Sequence, residues 1–398
     1  MGDGRRFPRW RDLRAVLPPL GRRDRLLAAA DVADIRLLAR RRAPRLVFDY
    51  VDGAAEGEIS MARAREAFAR VEFRPRILRH VGEVPLTARV LGREISMPLV
   101  LGPTGFTRMM HRDGEKAVAR AAARAGVPYT LSTMGTTPAP EVTRAAPGGW
   151  NWFQLYVARD RQRSRAALDL ARDAGMDVLV VTADVPVAGA RLRDVRHGLT
   201  MPPTLRWRSA LGVVRHPAWW FDFLTSEPLT FATMGGSDLA GITNLMFDPG
   251  VTFADLEWIR GAWGGPLVVK GVQRVDDAVA LAEAGIDGIA VSNHGGRQLD
   301  RAATPLELLP RVAEAVGDRA EVYLDGGVRC GADVAAALAL GARACFIGRA
   351  YLYGLMAAGE PGVDRVLDLV RAELTRTIQL LGGSLDPSVV RLRHNGST

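Results

Sequence analysis

Cysteine is nearly absent: Cys330 and Cys345 are the only two in 398 residues. They cannot build a disulfide framework or a cysteine-rich zinc or iron–sulfur site. A reducing compartment and a pair of buried thiols are expected. Lysine is as scarce, with Lys116 and Lys270 standing beside 51 Arg. A lysine kept against that background is expected to be needed as lysine. No apolar run reaches the ~18 residues of a membrane span. Arg5-Arg6 lead into more charge rather than an apolar stretch, so no signal peptide is expected. Zinc-ligand spacings, a Walker A loop and a Gly-x-Ser-x-Gly elbow are all missing, and Ser132 lacks the setting of a nucleophile. No metal site is expected.

What is present reads as a large soluble fold. Apolar residues are 48% and charged residues 24% of the chain, which excludes disorder as its main character. The length suits one barrel of about 250 residues with extensions, or two medium domains. The formal charge of +9 is local. Residues 1–45 hold 13 Arg and 5 Asp, and the remaining 353 carry a net +1. Nucleic-acid binding would spread basic residues over a folded face, so no nucleic-acid partner is expected. Residues 1–30 read as a basic, flexible arm, with weak contact with anionic lipid or nucleic acid as the sharper reading.

From Asp31 to Phe68 apolar positions recur at helical spacing, broken at Ala43-Pro44 and at Asp52-Gly53-Ala54-Ala55. Eight short apolar runs then alternate with helical segments: Pro98–Leu101, Val127–Leu131, Trp152–Val157, Val178–Thr182, Pro266–Val269, Gly288–Ser292, Glu321–Leu324 and Ala344–Ile347. Continuous apolar strands separated by helices predict a parallel sheet covered on both faces. Eight repeats predict an α/β fold, a TIM (β/α)8 barrel with an N-terminal helical extension. A doubly wound sheet is the alternative, but no Gly-x-Gly-x-x-Gly follows the first strand. Roughly 80 residues separate the fourth and fifth runs, a long insertion after strand 4. Within it, His216-Pro-Ala-Trp-Trp-Phe-Asp-Phe-Leu224 reads as a rim helix or lid, or as a monotopic membrane contact. The insertion is placed at about 199–250, the catalytic domain at 31–381 and a C-terminal tail at 382–398.

Chemistry in such a barrel sits at the C-terminal strand ends, and the polar residues gather there. Side chains two apart share a strand face, so Gln154 with Tyr156, Thr182 with Asp184 and Ser292 with His294 point toward one mouth. Gly326-Gly327-Val328-Arg329 and Gly348-Arg349 follow the last two strands, the usual phosphate cradle of a barrel. A phosphate-bearing ligand is therefore expected. Lys270 sits at the end of an apolar run, where a buried ammonium needs an anionic partner. It could serve as a Schiff-base lysine or as a fixed charge beside an electron-accepting ring. His294 and Asp184 can form a base with its orienter, and Arg191 with Arg297 can grip a carboxylate from two sides.

The segment Val291-Ser-Asn-His-Gly-Gly-Arg-Gln-Leu-Asp300 resembles the signature of the FMN-dependent 2-hydroxy-acid dehydrogenases and oxidases. Phe48-Asp-Tyr50, Pro103-Thr-Gly105, Leu131-Ser-Thr133, Trp152–Tyr156, Leu267–Gly271, Leu324–Arg329 and Ile347–Arg349 match that family in order, from about Asp31 to about Leu381. Pro186–Asp194 and His216–Asp222 look most like its quinone-linked actinobacterial L-lactate dehydrogenase branch. The resemblance implies FMN and oxidation of an L-2-hydroxy acid, (S)-lactate foremost, to the 2-oxo acid. It implies a quinone-like electron acceptor, a homo-oligomer (a tetramer) and a cytoplasmic protein peripheral to the inner membrane face.

Roles carry over residue by residue. His294 would be the base, Asp184 its stabiliser, and Arg297, Arg191 and Tyr50 the carboxylate site. Tyr156 would meet the substrate hydroxyl, and Lys270 would face the electron-rich edge of the reduced flavin. Pro103, Thr104, Gly105, Ser132, Gln154, Thr182 and Ser292 would hold the flavin ring and ribityl chain. Asp325, Gly326, Gly327, Val328, Arg329, Gly348 and Arg349 would hold ribityl and phosphate. Some positions depart from the family: Ala190 replaces one arginine, His197 an asparagine and Met134 an aromatic residue. Gly105 is expected to leave room on one flavin face for a larger substrate. The alternatives are an oxygen-using oxidase of another hydroxy acid, an FMN barrel with isomerase or peptide-modifying chemistry, and an inactive basic binding protein.

Overall fold

The computed structural model describes residues 21–197, 215–230 and 247–393. Eight strands close into a parallel barrel: β1 (Leu99–Leu101), β2 (Tyr129–Ser132), β3 (Asn151–Leu155), β4 (Val178–Thr182), β5 (Leu267–Val272), β6 (Gly288–Ser292), β7 (Glu321–Asp325) and β8 (Ala344–Ile347). Each predicted run supplies one strand. β8 pairs with β1, so no edge is left open.

The pleat sorts the side chains of each strand. On β4, Val178 and Val180 enter the barrel, while Leu179 and Val181 join the layer beneath the helices. The interior is filled by Val180, Val268, Ala290, Trp152, Tyr323 and Phe346, with Phe346 meeting Trp152 and Tyr323 edge-on. This is a packed core, so the strands' polar ends face one mouth rather than a pore. A hairpin, Ala88–Val90 with Arg93–Ile95, adds Val90 and Ile95 beneath it.

Before the barrel come α1 (Arg22–Ala28), α2 (Val32–Arg42), α3 (Arg45–Asp52) and α4 (Ile59–Ala69). Asp31 caps α2 by accepting the Asp34 N–H at 2.8 Å. Val32, Ile35 and Ala39 recur on its buried face, with Ile35 wholly enclosed. Burial of such a side chain contributes about 1.5–3 kcal/mol. α2 ends at Ala43-Pro44, because proline disfavours helix in the residue before it.

The first twenty residues of the expected arm lie outside the described residues. The rest of that span is α1, whose Leu26 joins the core with Ala29 just beyond it. The segment after 381 is likewise part of the fold as far as 393. Its Val390–Leu392 pairs antiparallel with Val71–Phe73.

Most of the insertion, residues 198–214 and 231–246, is outside the described residues. The expected aromatic helix is present at Pro217–Leu224. Trp219 is buried and donates its indole N–H to the Met109 carbonyl at 3.1 Å. Asp222 pairs with Arg42 of α2 at 2.9 Å. Phe221 and Leu224 stay exposed.

Candidate active site

The sheet register brings the polar strand ends onto common rungs. Ser132 stands opposite Gln154, Thr182 opposite Lys270, and Ser292 opposite Asp325. Above them opens a cavity lined by most of the residues singled out from sequence. Tyr50, Pro103, Thr104, Gly105, Ser132, Tyr156, Arg191, Lys270, His294 and Arg297 form one part. Asp325, Gly326, Gly327, Val328, Arg329, Gly348 and Arg349 form the other. Asp184, Gln154, Thr182 and Ser292 are outside this lining, and three of them touch it through partners.

His294 Nδ1 lies 3.0 Å from Asp184 Oδ1. The backbone of His294 adopts φ 58°, a left-handed conformation uncommon for a residue with a side chain. Its N–H donates to Ser292 Oγ at 3.0 Å, which fixes the imidazole over the mouth. Asp184 is enclosed, and burial works to raise its carboxyl. The facing imidazole and Lys270 outweigh that, so the acid is held below its ordinary value. Gly271, at φ 108°, makes room for Asp184, because a Cβ there would lie 2.6 Å from the carboxylate carbon. The Gln298 amide donates to the Asp184 and Val187 carbonyls at 3.2 and 2.9 Å, and its oxygen accepts the Gly189 N–H at 3.1 Å. Gln298 thus fastens the loop carrying Asp184.

Lys270 is 4% exposed, as its apolar context predicts. Its Nζ lies 2.7 Å from Asp325 Oδ2 and donates to Ser292 Oγ at 3.1 Å. Ser292 Oγ in turn donates to Asp325 at 2.6 Å. Burial opposes the ammonium, but Asp325 and Asp184 raise its pKa, so it is held charged.

The Arg191 and Arg297 guanidiniums lie 5.2 and 5.0 Å from the centre of the Tyr50 ring. Arg191 Nε pairs with Asp194 at 3.2 Å. Among the described residues, Arg297 donates to the carbonyls of Tyr50 at 2.7 Å and Gly53 at 3.3 Å. Burial and then the nearby Arg191 charge lower its pKa. An enclosed arginine next to a second one, with no carboxylate of its own, is set up for an anion. Tyr156 faces the same space. Burial, Asp184 and Tyr50 all raise its phenol, so it remains a neutral hydroxyl.

At the other end, the turn after β7 runs through Gly326 (φ 112°) and Gly327 (φ 84°). The helix Arg349–Ala358 begins there after Gly348, and its N-terminal N–H groups favour an anion. Arg349 donates to the carbonyls of Val51, Gly295 and Gly53 at 2.9, 2.7 and 2.7 Å. Burial, then Arg297 and Arg329, push its pKa down to about 9. It both staples α3 to the mouth and adds charge to the cradle.

Fit to a flavin nucleotide can be tested on orphaned groups. Gln154 Nε2 and Thr182 Oγ1 are buried with no hydrogen-bond partner among the described residues. Both are at strand ends and supply polar atoms for a planar heterocycle with ring nitrogens and carbonyls. Together with the Gly/Arg cradle and the Lys270 charge, the residues fit FMN.

Gly105 lines the cavity beside Met134, and a Cβ at Gly105 would meet Met134 Cβ at 2.7 Å. Other residues emerge only from the structure. Arg65 of α4 lines the phosphate end, bonds the Gly327 carbonyl and pairs with Asp333 at 2.6 Å. Arg193 spans to Asp52 at 3.1 Å, Asp49 at 3.5 Å and Glu58. It joins the segment bearing Arg191 to the helix bearing Tyr50. Gln298 was readable as the neighbour of Arg297, but nothing local marks the long-range pairs of Arg65 and Arg193.

Residues 39–389 match the family model described as FMN-dependent dehydrogenase. A Mycobacterium tuberculosis protein named "Putative L-lactate dehydrogenase" is 51% identical over 389 residues, 96% of this chain and 94% of that protein. An L-lactate dehydrogenase of Caulobacter sp. is 44% identical over 362 residues, 89% of this chain and 95% of that protein. The crystal structure of the monotopic membrane protein (S)-mandelate dehydrogenase superposes with a TM-score of 0.88 at 37% identity. That match covers 92% of this chain and 100% of the other.

Proposed function

The chain belongs to the FMN-dependent dehydrogenase family, and from that premise we propose that it oxidises (S)-lactate to pyruvate and passes the electrons to a quinone-like acceptor. The observation that carries the reading is the pairing of His294–Asp184 with the two arginines around Tyr50, in one cavity with the phosphate cradle. FMN, when bound, supplies the two-electron acceptor that no side chain offers. Gln154, Thr182, Ser132 and the Pro103–Gly105 backbone would hold its ring. Asp325, Arg329, Arg349 and the glycine turns would hold its ribityl phosphate.

The residues then divide the work on a hydroxy acid. Arg297 and Arg191 bind the carboxylate, with Tyr50 between them. Tyr156 donates to or accepts from the substrate hydroxyl as a neutral phenol. His294 takes a proton, and Asp184 stabilises the imidazolium that results. Lys270 keeps a positive charge where negative charge accumulates. The relatives named L-lactate dehydrogenase favour lactate over a bulkier acid.

Contact with a membrane surface is part of the proposal. No helix among the described residues is long and apolar enough to cross a membrane. Phe221 and Leu224 project from a helix anchored by Trp219, and a structural neighbour is monotopic. Homo-oligomer formation is proposed on the resemblance. The test is His294→Gln, which should keep yellow FMN and lose at least 100-fold in turnover. Retained activity would overturn the base assignment.

A further inference from the structure

A second cavity, of about 270 Å³, lies on the other side of Tyr156. It runs between the ends of β4 and β5 and the helices Phe253–Trp263 and Val275–Glu283. Val185, Val251, Leu256, Val272 and Leu281 give it apolar walls, with Asp248 and Asp277 also in the lining. Thr182 and Gly271, which adjoin the catalytic groups, also border it, and half-exposed Phe253 marks its outer edge. Tyr156 alone lines both cavities, and Phe247 packs edge-on against its ring at 5.5 Å.

The two cavities differ in the charge of their linings. Arg191, Arg297, Lys270 and His294 make the first cavity cationic, suited to an anionic substrate beside the flavin. The second offers more apolar than polar surface, on which burial of a neutral ring is favourable. It carries no lysine or arginine.

We propose that this apolar cavity beside Tyr156 binds the ring of the electron acceptor, a para-benzoquinone. The inference rests on the acceptor reading given above and adds a place to it. The redox balance closes without other reagents. The hydroxy acid loses two electrons and two protons. The quinone gains two electrons and, from solvent, two protons at its carbonyl oxygens, becoming a hydroquinone. Bound FMN would supply the two-electron relay between the two reactions.

The probe is a decyl-substituted benzoquinone, titrated calorimetrically into FMN-loaded enzyme. Reoxidation of the anaerobically reduced enzyme is followed with the same quinone and with ferricyanide. Leu256→Trp and Val251→Phe, from two walls, should each weaken quinone binding at least 10-fold. Each should slow reoxidation by quinone at least 10-fold relative to ferricyanide. In the unaltered enzyme, saturating oxalate should fill the anion cavity yet leave quinone affinity within two-fold. If oxalate and quinone exclude each other, or both variants bind quinone normally, the site is wrong while the acceptor reading stands. If L-lactate reduces the enzyme but quinone neither binds nor reoxidises it, both fall.

Discussion

Replacing Asp184 with Asn isolates the charge behind His294. The two side chains meet at 3.0 Å, and the Asp184 side chain is 3% exposed. A hydrogen bond to a charged group contributes about 1.5–3 kcal/mol, which is roughly a 10- to 150-fold loss of turnover. The Coulomb attraction at about 4 Å with an effective dielectric near 20 is ~4 kcal/mol, which caps the loss near 1,000-fold. Asp184 Oδ2 has no partner among the described residues. An amide nitrogen placed there would be buried without an acceptor, a further cost of about 1–3 kcal/mol in stability. The assay is kcat/KM with L-lactate, alongside FMN content. Losing the carboxylate removes the stabilisation of the imidazolium, so turnover should fall. FMN content should hold. Turnover within two-fold of the parent enzyme, or loss of FMN in place of turnover, would refute the reasoning.

Arg193→Gln should raise the KM for L-lactate several-fold with kcat and FMN content little changed, because Arg193 acts through the Tyr50 helix. A fall in kcat alone would exclude that positioning role. Gly105→Ala should lower stability by about 1–3 kcal/mol through overpacking against Met134, read as Tm. An unchanged Tm would mean the site relaxes freely. Lys270→Met leaves Asp325 without its cation and should destabilise by about 3–5 kcal/mol, read by denaturant titration, and should weaken FMN retention. Burial works to raise the Asp52 carboxyl, but hydrogen bonds from Arg36 and Tyr353 hold it at about 2. A depressed folded value stabilises above the ordinary carboxylate range and is lost as pH falls toward 2. Thermal melts between pH 5 and 2 should therefore fall more steeply for the parent than for Asp52→Asn.

The barrel was legible because each strand is a short apolar run bounded by turn residues, and because polar residues collect at one strand end. Lys270 and the His294–Asp184 pair were readable from strand position and side-chain alternation alone. Arg297 and Arg191 were readable as a carboxylate grip from their loop positions, and the role of Tyr50 needed the resemblance. Rarity alone was a weaker guide, since Lys116 ends in a surface pair with Glu141 at 2.6 Å. What stayed hidden depends on contacts far apart in sequence. Arg193 meets acids more than 130 residues away, and Arg349 binds carbonyls near residue 53. The close approach of Gly105 to Met134 was hidden for the same reason, because Met134 comes from another loop.

The most direct test is to add L-lactate anaerobically to the purified yellow enzyme and follow the visible flavin spectrum, with D-lactate, glycolate and L-mandelate in parallel. The account predicts that L-lactate bleaches the flavin fastest, that D-lactate does not, and that a benzoquinone restores the colour faster than air. A bound flavin that no 2-hydroxy acid bleaches would leave the fold standing and contradict the function.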